Sequence, residues 1–150
     1  MYSKNSDSII LLIFRNRISP TVVFRLFILL ILKKGKSGVE EIKEMMSNFR
    51  TDPPKKILNS AVTEIMDYID PVYLERANRK NGGIVIPESD VLQFFTADGT
   101  KISVRPSGTE PKIKFYIGVK AKLKHSSDYN KTILELDNKI ENIIKELHLE

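Results

Sequence analysis

An α+β fold, with a small and mostly antiparallel sheet and helices on one face, is predicted by three features of the sequence. Ile113, Phe115, Ile117, Val119, Ala121 and Leu123 alternate with Lys112, Lys114, Tyr116, Gly118, Lys120, Lys122 and Lys124. Period two puts the first set on a core and the second on an open face. Downstream, Ile133, Leu136, Ile140, Ile143, Ile144 and Leu147 make a helical stripe able to cover that sheet. Upstream, Val91–Thr96 and Lys101–Arg105 read as two strands joined through Ala97-Asp98-Gly99-Thr100, and Asp-Gly is a strong hairpin signal.

Size and composition bound the rest. A chain of 150 residues has room for one domain, or one small domain plus a tail, and 41% hydrophobic content is enough for a core. With no cysteine, disulfide scaffolds and zinc–thiolate sites are excluded, and a reducing cytoplasm is the expected setting. The net charge of +5 suits a phosphorylated ligand, a nucleic acid or an acidic membrane surface without choosing among them. His125 and His148 have no acidic or thiol partners at ligand spacing and read as surface residues.

The elements follow in chain order. Ile9–Phe14 and Val22–Leu32 are two apolar runs, separated by Arg15, Arg17 and Pro20. Each is short of the roughly 20 residues that span a bilayer, and Arg25 falls inside the second. No small-residue cleavage site follows, so a secretory signal fits poorly. A helix or strand of a larger body is the preferred reading and a membrane-associated helix the minor one. Ser37-Gly38-Val39-Glu40 has the form of a capping box with Ser37 as N-cap. Val39, Ile42, Met45, Met46 and Phe49 then mark one face of a helix to about Asn48. Pro53-Pro54 ends that segment and suits a domain junction. Ser60–Met66 reads as a strand, and Asp70-Pro71 as N-cap and first residue of a helix to about Asn78. Asn81-Gly82-Gly83 reads as a turn and Ile84–Pro87 as an extended approach, and the last helix is expected to begin at Asp128.

The chemistry concentrates in Arg105-Pro106-Ser107-Gly108-Thr109-Glu110-Pro111, between two strands. Arg105 offers a planar, permanently charged donor fork that matches phosphate oxygens. Ser107 and Thr109 add hydroxyl donors, Gly108 allows backbone amides to turn inward, and Pro106 and Pro111 restrict the loop. Composition alone leaves two readings open, an ordinary turn and an anion cradle.

Arg-Pro-Ser-Gly-Thr-Glu-Pro-Lys-Ile-Lys-Phe-Tyr, with Val91–Phe95 and Asp98–Val104 before it, resembles the C-terminal phosphate-binding signature of the α-D-phosphohexomutases. That family includes phosphoglucomutases, phosphomannomutases, phosphoglucosamine mutases and phosphopentomutases. The resemblance covers roughly 33–150 and is sharpest over 91–119. It implies a small sheet of the TATA-binding-protein-like type. It also implies that Arg105, Ser107, Gly108, Thr109 and Lys114 grip the substrate's non-reacting phosphate, with Glu110 turned away or paired to a lysine.

The division it implies has three parts. Residues 1–32 are an atypical apolar stretch outside the resemblance, read as a truncated or out-of-frame remnant. Residues 33–54 supply a helix and hinge from the end of the preceding domain, and 55–150 form the C-terminal phosphate-binding domain. The resembled enzymes are intramolecular phosphotransferases that use a phosphoserine and Mg2+. No Ser-His-Asn-Pro type nucleophile loop, Asp-Gly-Asp type metal loop or Gly-Glu sugar loop occurs here. The chain is therefore expected to have no catalytic or metal residues of its own and no cofactor. It should be inactive alone, with Mg2+ held by a missing domain. The expected partners are a hexose or pentose phosphate and the N-terminal mutase domains; neither nucleic acid nor membrane is expected. A basic nucleic-acid-binding module is the alternative, since a basic sheet face with Tyr116 can engage a backbone.

Overall fold

The computed structural model describes residues 4–5, 8–19, 22–80 and 85–149, with side chains described from Val22 onward, Lys36 excepted. The expected turn at Asn81-Gly82-Gly83, with Ile84, lies outside the described residues. In chain order the elements are β1 (Lys4–Asn5), β2 (Ser8–Ser19), β3 (Val22–Leu32), α1 (Gly35–Thr51), β4 (Lys56–Ile57) and β5 (Ser60–Asp67). Then come α2 (Pro71–Lys80), β6 (Leu92–Thr96), β7 (Lys101–Pro106), β8 (Lys112–Lys122), a 3-10 turn at Ser126–Asp128, and α3 (Tyr129–Glu146). The strands form one sheet in the order β1-β2-β3-β8-β7-β6-β5-β4, with every neighbouring pair antiparallel. This is the α+β architecture expected from the alternation and the terminal stripe.

Strand β8 is central, and its period is realised in burial. Ile113, Phe115, Ile117 and Val119 are fully buried, while Lys112, Lys114 and Tyr116 stay partly open. Two helices cover the buried face. Helix α3 contributes Leu136, Ile140 and Ile143, and α1 contributes Ile42 and Met46. Phe49 of α1 sets its ring 5.9 Å from Phe94 and 6.1 Å from Phe115. Each fully buried side chain of this size stabilises the fold by about 1.5–3 kcal/mol.

The second apolar run is a strand of this sheet. All eleven residues of β3 pair with β8 without a break, from Val22 opposite Lys122 to Leu32 opposite Lys112. Val23, Phe27, Leu29 and Ile31 enter the core. Their alternates Phe24, Leu26, Ile28 and Leu30 lie on the other face, half-buried. Both faces carry apolar residues, which is why the sequence shows no strand period there. Arg25 lies on the helix-covered face and is held by α3: its Nε and Nη2 donate to Asp137 at 2.6 and 3.0 Å. Among the described residues no helix is long and apolar enough to cross a membrane.

The expected capping box does not form. Helix α1 starts at Gly35, three residues early, with Lys34 in place of Ser37 as an extended N-cap that has no side-chain cap bond. Ser37 lies inside the first turn, and its hydroxyl donates to the Lys34 carbonyl at 3.4 Å. Gly35 makes the early start possible, because its φ of +68° is a left-handed conformation that glycine adopts without steric cost. Gly38 is instead needed for closeness, since a Cβ there would sit 2.6 Å from the Cβ of Lys33. Val39, expected on the core face, is exposed. Asp70 does cap α2, its Oδ1 accepting from the Val72 amide at 2.9 Å. The helix runs two residues past Asn78. The 3-10 turn occupies the expected start at Asp128, and α3 proper begins at Tyr129.

Candidate functional site

Strands β7 and β8 stay paired up to Pro106 opposite Ile113, and the chain between them forms the loop tip. The proline sets the end of the ladder, having no amide to continue it. Two main-chain bonds close the loop base: the Ser107 amide donates to the Lys112 carbonyl at 2.8 Å, and the Lys112 amide to Glu110 at 2.7 Å. A third comes from outside the loop. The Lys33 amide, one residue past β3, donates to the Pro111 carbonyl at 2.8 Å. The N-terminal strand thus holds one limb of the loop.

A cavity of about 240 Å³ opens beside the loop, and Arg105, Ser107, Gly108 and Lys114 line it, with Lys112 and Tyr116. Four of the five expected site residues come together there; Thr109 is exposed at the tip and does not line it. Lys112 and Tyr116 were readable as open-face residues from their period-two spacing with Lys114, which is the signal that places them in the site.

Backbone amides contribute less than expected. Ser107, Thr109, Glu110 and Lys112 all have acceptors; the Thr109 and Glu110 amides reach the Ser107 hydroxyl oxygen at 3.5 and 3.3 Å. Among the described residues the Gly108 amide is the one backbone N–H of the loop left without an acceptor. Gly108 is not left-handed, and a Cβ built on it meets nothing within 4 Å. The chain's own sterics therefore do not require glycine at this position.

The electrostatics are set by three cations and one carboxylate. Arg105 and Lys114 are direct cross-strand partners. Neither has an ion pair within the chain among the described residues. Like charges placed directly opposite destabilise a ladder. Lys112 is different, because its ammonium pairs with the exposed Glu110 carboxylate. The hydrogen bond from Lys112, with its charge, holds the Glu110 carboxyl below the usual range. The cavity mouth keeps the positive charge of Arg105 and Lys114, with hydroxyl and amide donors from Ser107 and Gly108.

A second polar cluster lies away from this cavity, where the buried Thr96 and Thr100 surround an exposed carboxylate. Asp98, in the β6–β7 turn, accepts from Thr96 Oγ1 at 2.6 Å, the Thr100 hydroxyl at 2.9 Å and the Thr100 amide at 3.1 Å. Lys139 of α3 donates to its other oxygen at 2.6 Å. Burial raises the Asp98 pKa, but the bonds from Lys139, Thr96 and Thr100 outweigh it and hold the carboxyl well below the usual range. Gly99, at a φ of +81°, makes the turn. Among the described residues no group of three or more His, Cys, Asp or Glu side chains is placed to hold a metal ion.

Fold and site together define a class: a small α+β domain carrying a cation-lined loop cavity at one end of an antiparallel sheet. Residues 34–136 match the profile described as "Phosphoglucomutase/phosphomannomutase, C-terminal domain", and the chain belongs to that family. A phosphoglucomutase of Staphylococcus aureus (strain MRSA252) is 36% identical over 87 residues, which is 58% of this chain and 16% of the relative. A probable phosphomannomutase of Haemophilus influenzae is 31% identical over 110 residues, 73% of this chain and 19% of the relative. The chain thus spans less than a fifth of the length of these curated relatives. No solved structure gives a significant match.

Proposed function

We propose that this domain is the phosphate clamp of a phosphosugar mutase, gripping the phosphate that is not being transferred. The observation that carries the reading is the cross-strand pair Arg105 and Lys114, two cations left without carboxylate partners at a cavity that Ser107 and Gly108 also line. An anion there relieves the repulsion between them. Charge-assisted hydrogen bonds contribute about 1.5–3 kcal/mol each, so three or four exceed the cost of ordering a small ligand. Thr109 joins the grip if the tip closes over the bound phosphate. The names of the relatives, phosphoglucomutase and probable phosphomannomutase, support a hexose phosphate as substrate, with a pentose phosphate as the variant.

The clamp contributes to catalysis by position. Binding energy at the remote phosphate fixes the reacting oxygen in place, so it is realised in the transition state of a transfer carried out elsewhere. The nucleophile and any Mg2+ belong, on this reading, to the preceding mutase domains. Residues 33–54 lead from those domains through Pro53-Pro54 into a phosphate-binding unit over 55–150. The described residues offer no metal cluster, and no step is assigned to a metal in this chain. A cytoplasmic setting accords with the absence of cysteine.

Titrating the full chain with glucose 6-phosphate tests the reading. Arg105→Ala is expected to abolish binding while leaving the unfolding midpoint unchanged, because Arg105 is an exposed loop-edge residue. Equal binding by wild type and variant would overturn the clamp. Binding to an oligonucleotide that collapses with salt, with no response to glucose phosphates, would favour the nucleic-acid module instead.

A further inference from the structure

The clamp opens onto a second cavity of about 410 Å³ on the same open sheet face, and the two share Arg105 and Tyr116. Its walls differ in kind from those of the clamp. Phe24 and Leu26 of β3 form one side, Gln93 and Ser103 the other, with Lys101 at the far rim. Gly118 forms the floor: a Cβ there would meet Phe24 Cζ at 3.0 Å and Cε2 at 3.5 Å, so the ring lies directly over bare backbone. Lys101 is held by Phe95, its Nζ 5.1 Å from the ring centroid. The Gln93 carbonyl accepts from Tyr68 Oη at 3.4 Å, which leaves its amide donors for a ligand.

We propose that this cavity is a subsite for a planar heterocycle whose phosphate sits in the clamp, and that the ligand is a nucleoside 5′-monophosphate. The proposal rests on the clamp reading above. Spacing supports it. Successive open-face pairs run Arg105–Lys114, Ser103–Tyr116 and Lys101–Gly118 down the sheet. Residues two apart on a strand are about 7 Å apart, comparable to the reach from a 5′-phosphate across the ribose to the base. The chemistry of the walls agrees with the spacing. Two aromatic rings, Tyr116 and Phe24, give stacking surfaces, while Gln93 and Ser103 can hydrogen-bond a heterocycle's edge. Phe24 belongs to the strand that lies outside the stretch matched by the family profile.

The test compares AMP, ribose 5-phosphate and adenosine by calorimetric titration of the full chain at fixed salt. AMP is expected to bind roughly five- to a hundredfold more tightly than ribose 5-phosphate, the range that one stacked base contributes. Phe24→Leu keeps an apolar side chain and is expected to reduce AMP to the ribose 5-phosphate level without changing ribose 5-phosphate itself. In the unsubstituted chain, nuclear Overhauser contacts between the adenine and Phe24 ring protons are expected, and their absence would overturn the subsite even if the variant fails to fold. Ribose 5-phosphate and AMP binding equally would remove the subsite and leave the clamp standing. No binding of either phosphate would remove the clamp, and the subsite with it. Adenosine binding as tightly as AMP would separate the cavity from the clamp and refute the joint site. A 5′-phosphorylated oligonucleotide binding more tightly than AMP would overturn the free nucleotide as the ligand.

Discussion

Arg105 and Lys114 sit opposite one another with no carboxylate between them, whereas Lys112, two residues away, is paired with Glu110. The residue types in this loop are readable from the sequence, but their charge balance is not. Pairing depends on where each side chain turns, and a Glu-Pro-Lys string is silent on that. Of the two alternatives expected, turned away or paired to a lysine, Glu110 takes the second and pairs with Lys112. It still opposes an incoming dianion, because it neutralises the third cation lining the cavity. Glu110→Gln is therefore expected to strengthen phosphate-ester binding by roughly two- to fivefold at low salt, the scale of one surface charge pair. The gain should fade as ionic strength rises and the Debye length shrinks. Titrations with glucose 6-phosphate at two salt concentrations check it, and a loss of affinity would mean that Glu110 holds Lys112 in a binding posture.

At the level of elements, the hairpin signal Asp98-Gly99 is realised, with Gly99 left-handed as such a turn requires. The sequence does not reveal that Asp98 also ties the hairpin to α3 through Lys139, 41 residues later. The failed capping box has the same origin. Local pattern proposed Ser37, but the chain had to leave β3 and turn at once, and Gly35 supplied that turn. The Asp98 network gives a pH dependence with a definite sign. Its folded-state pKa is depressed, so the stability it lends is present above about pH 4, the unfolded carboxylate range. That stability is lost as pH falls below this range toward the folded-state value. Asp98→Asn should lower the urea midpoint at pH 7, and the gap from wild type should narrow steadily toward pH 2. An equal gap at both pH values would show that Asp98 acts through shape alone.

For the molecule as a whole, the strands from β6 to β8 and the final helix were legible because each buries one face and exposes the other. Strand β3 was not, since its two faces are both apolar and periodicity has nothing to report. Its place in the structure makes it more than a covering. Four of its side chains enter the shared core, its end pairs with the start of β8, and the next amide holds Pro111 of the loop. If β3 belongs to the cooperative unit, a cavity made in it is felt globally. Leu29 is the sharpest probe, being 1% exposed and opposite the fully buried Phe115. Leu29→Ala should cost about 2–5 kcal/mol, a large fraction of the 5–15 kcal/mol typical of a domain. Urea unfolding followed by far-ultraviolet circular dichroism and by tyrosine fluorescence, to which all five tyrosines contribute, should shift together. A loss below about 0.5 kcal/mol, within the range of a surface substitution, would instead make β3 a strand that opens on its own while α1, α3 and β5–β8 stay folded.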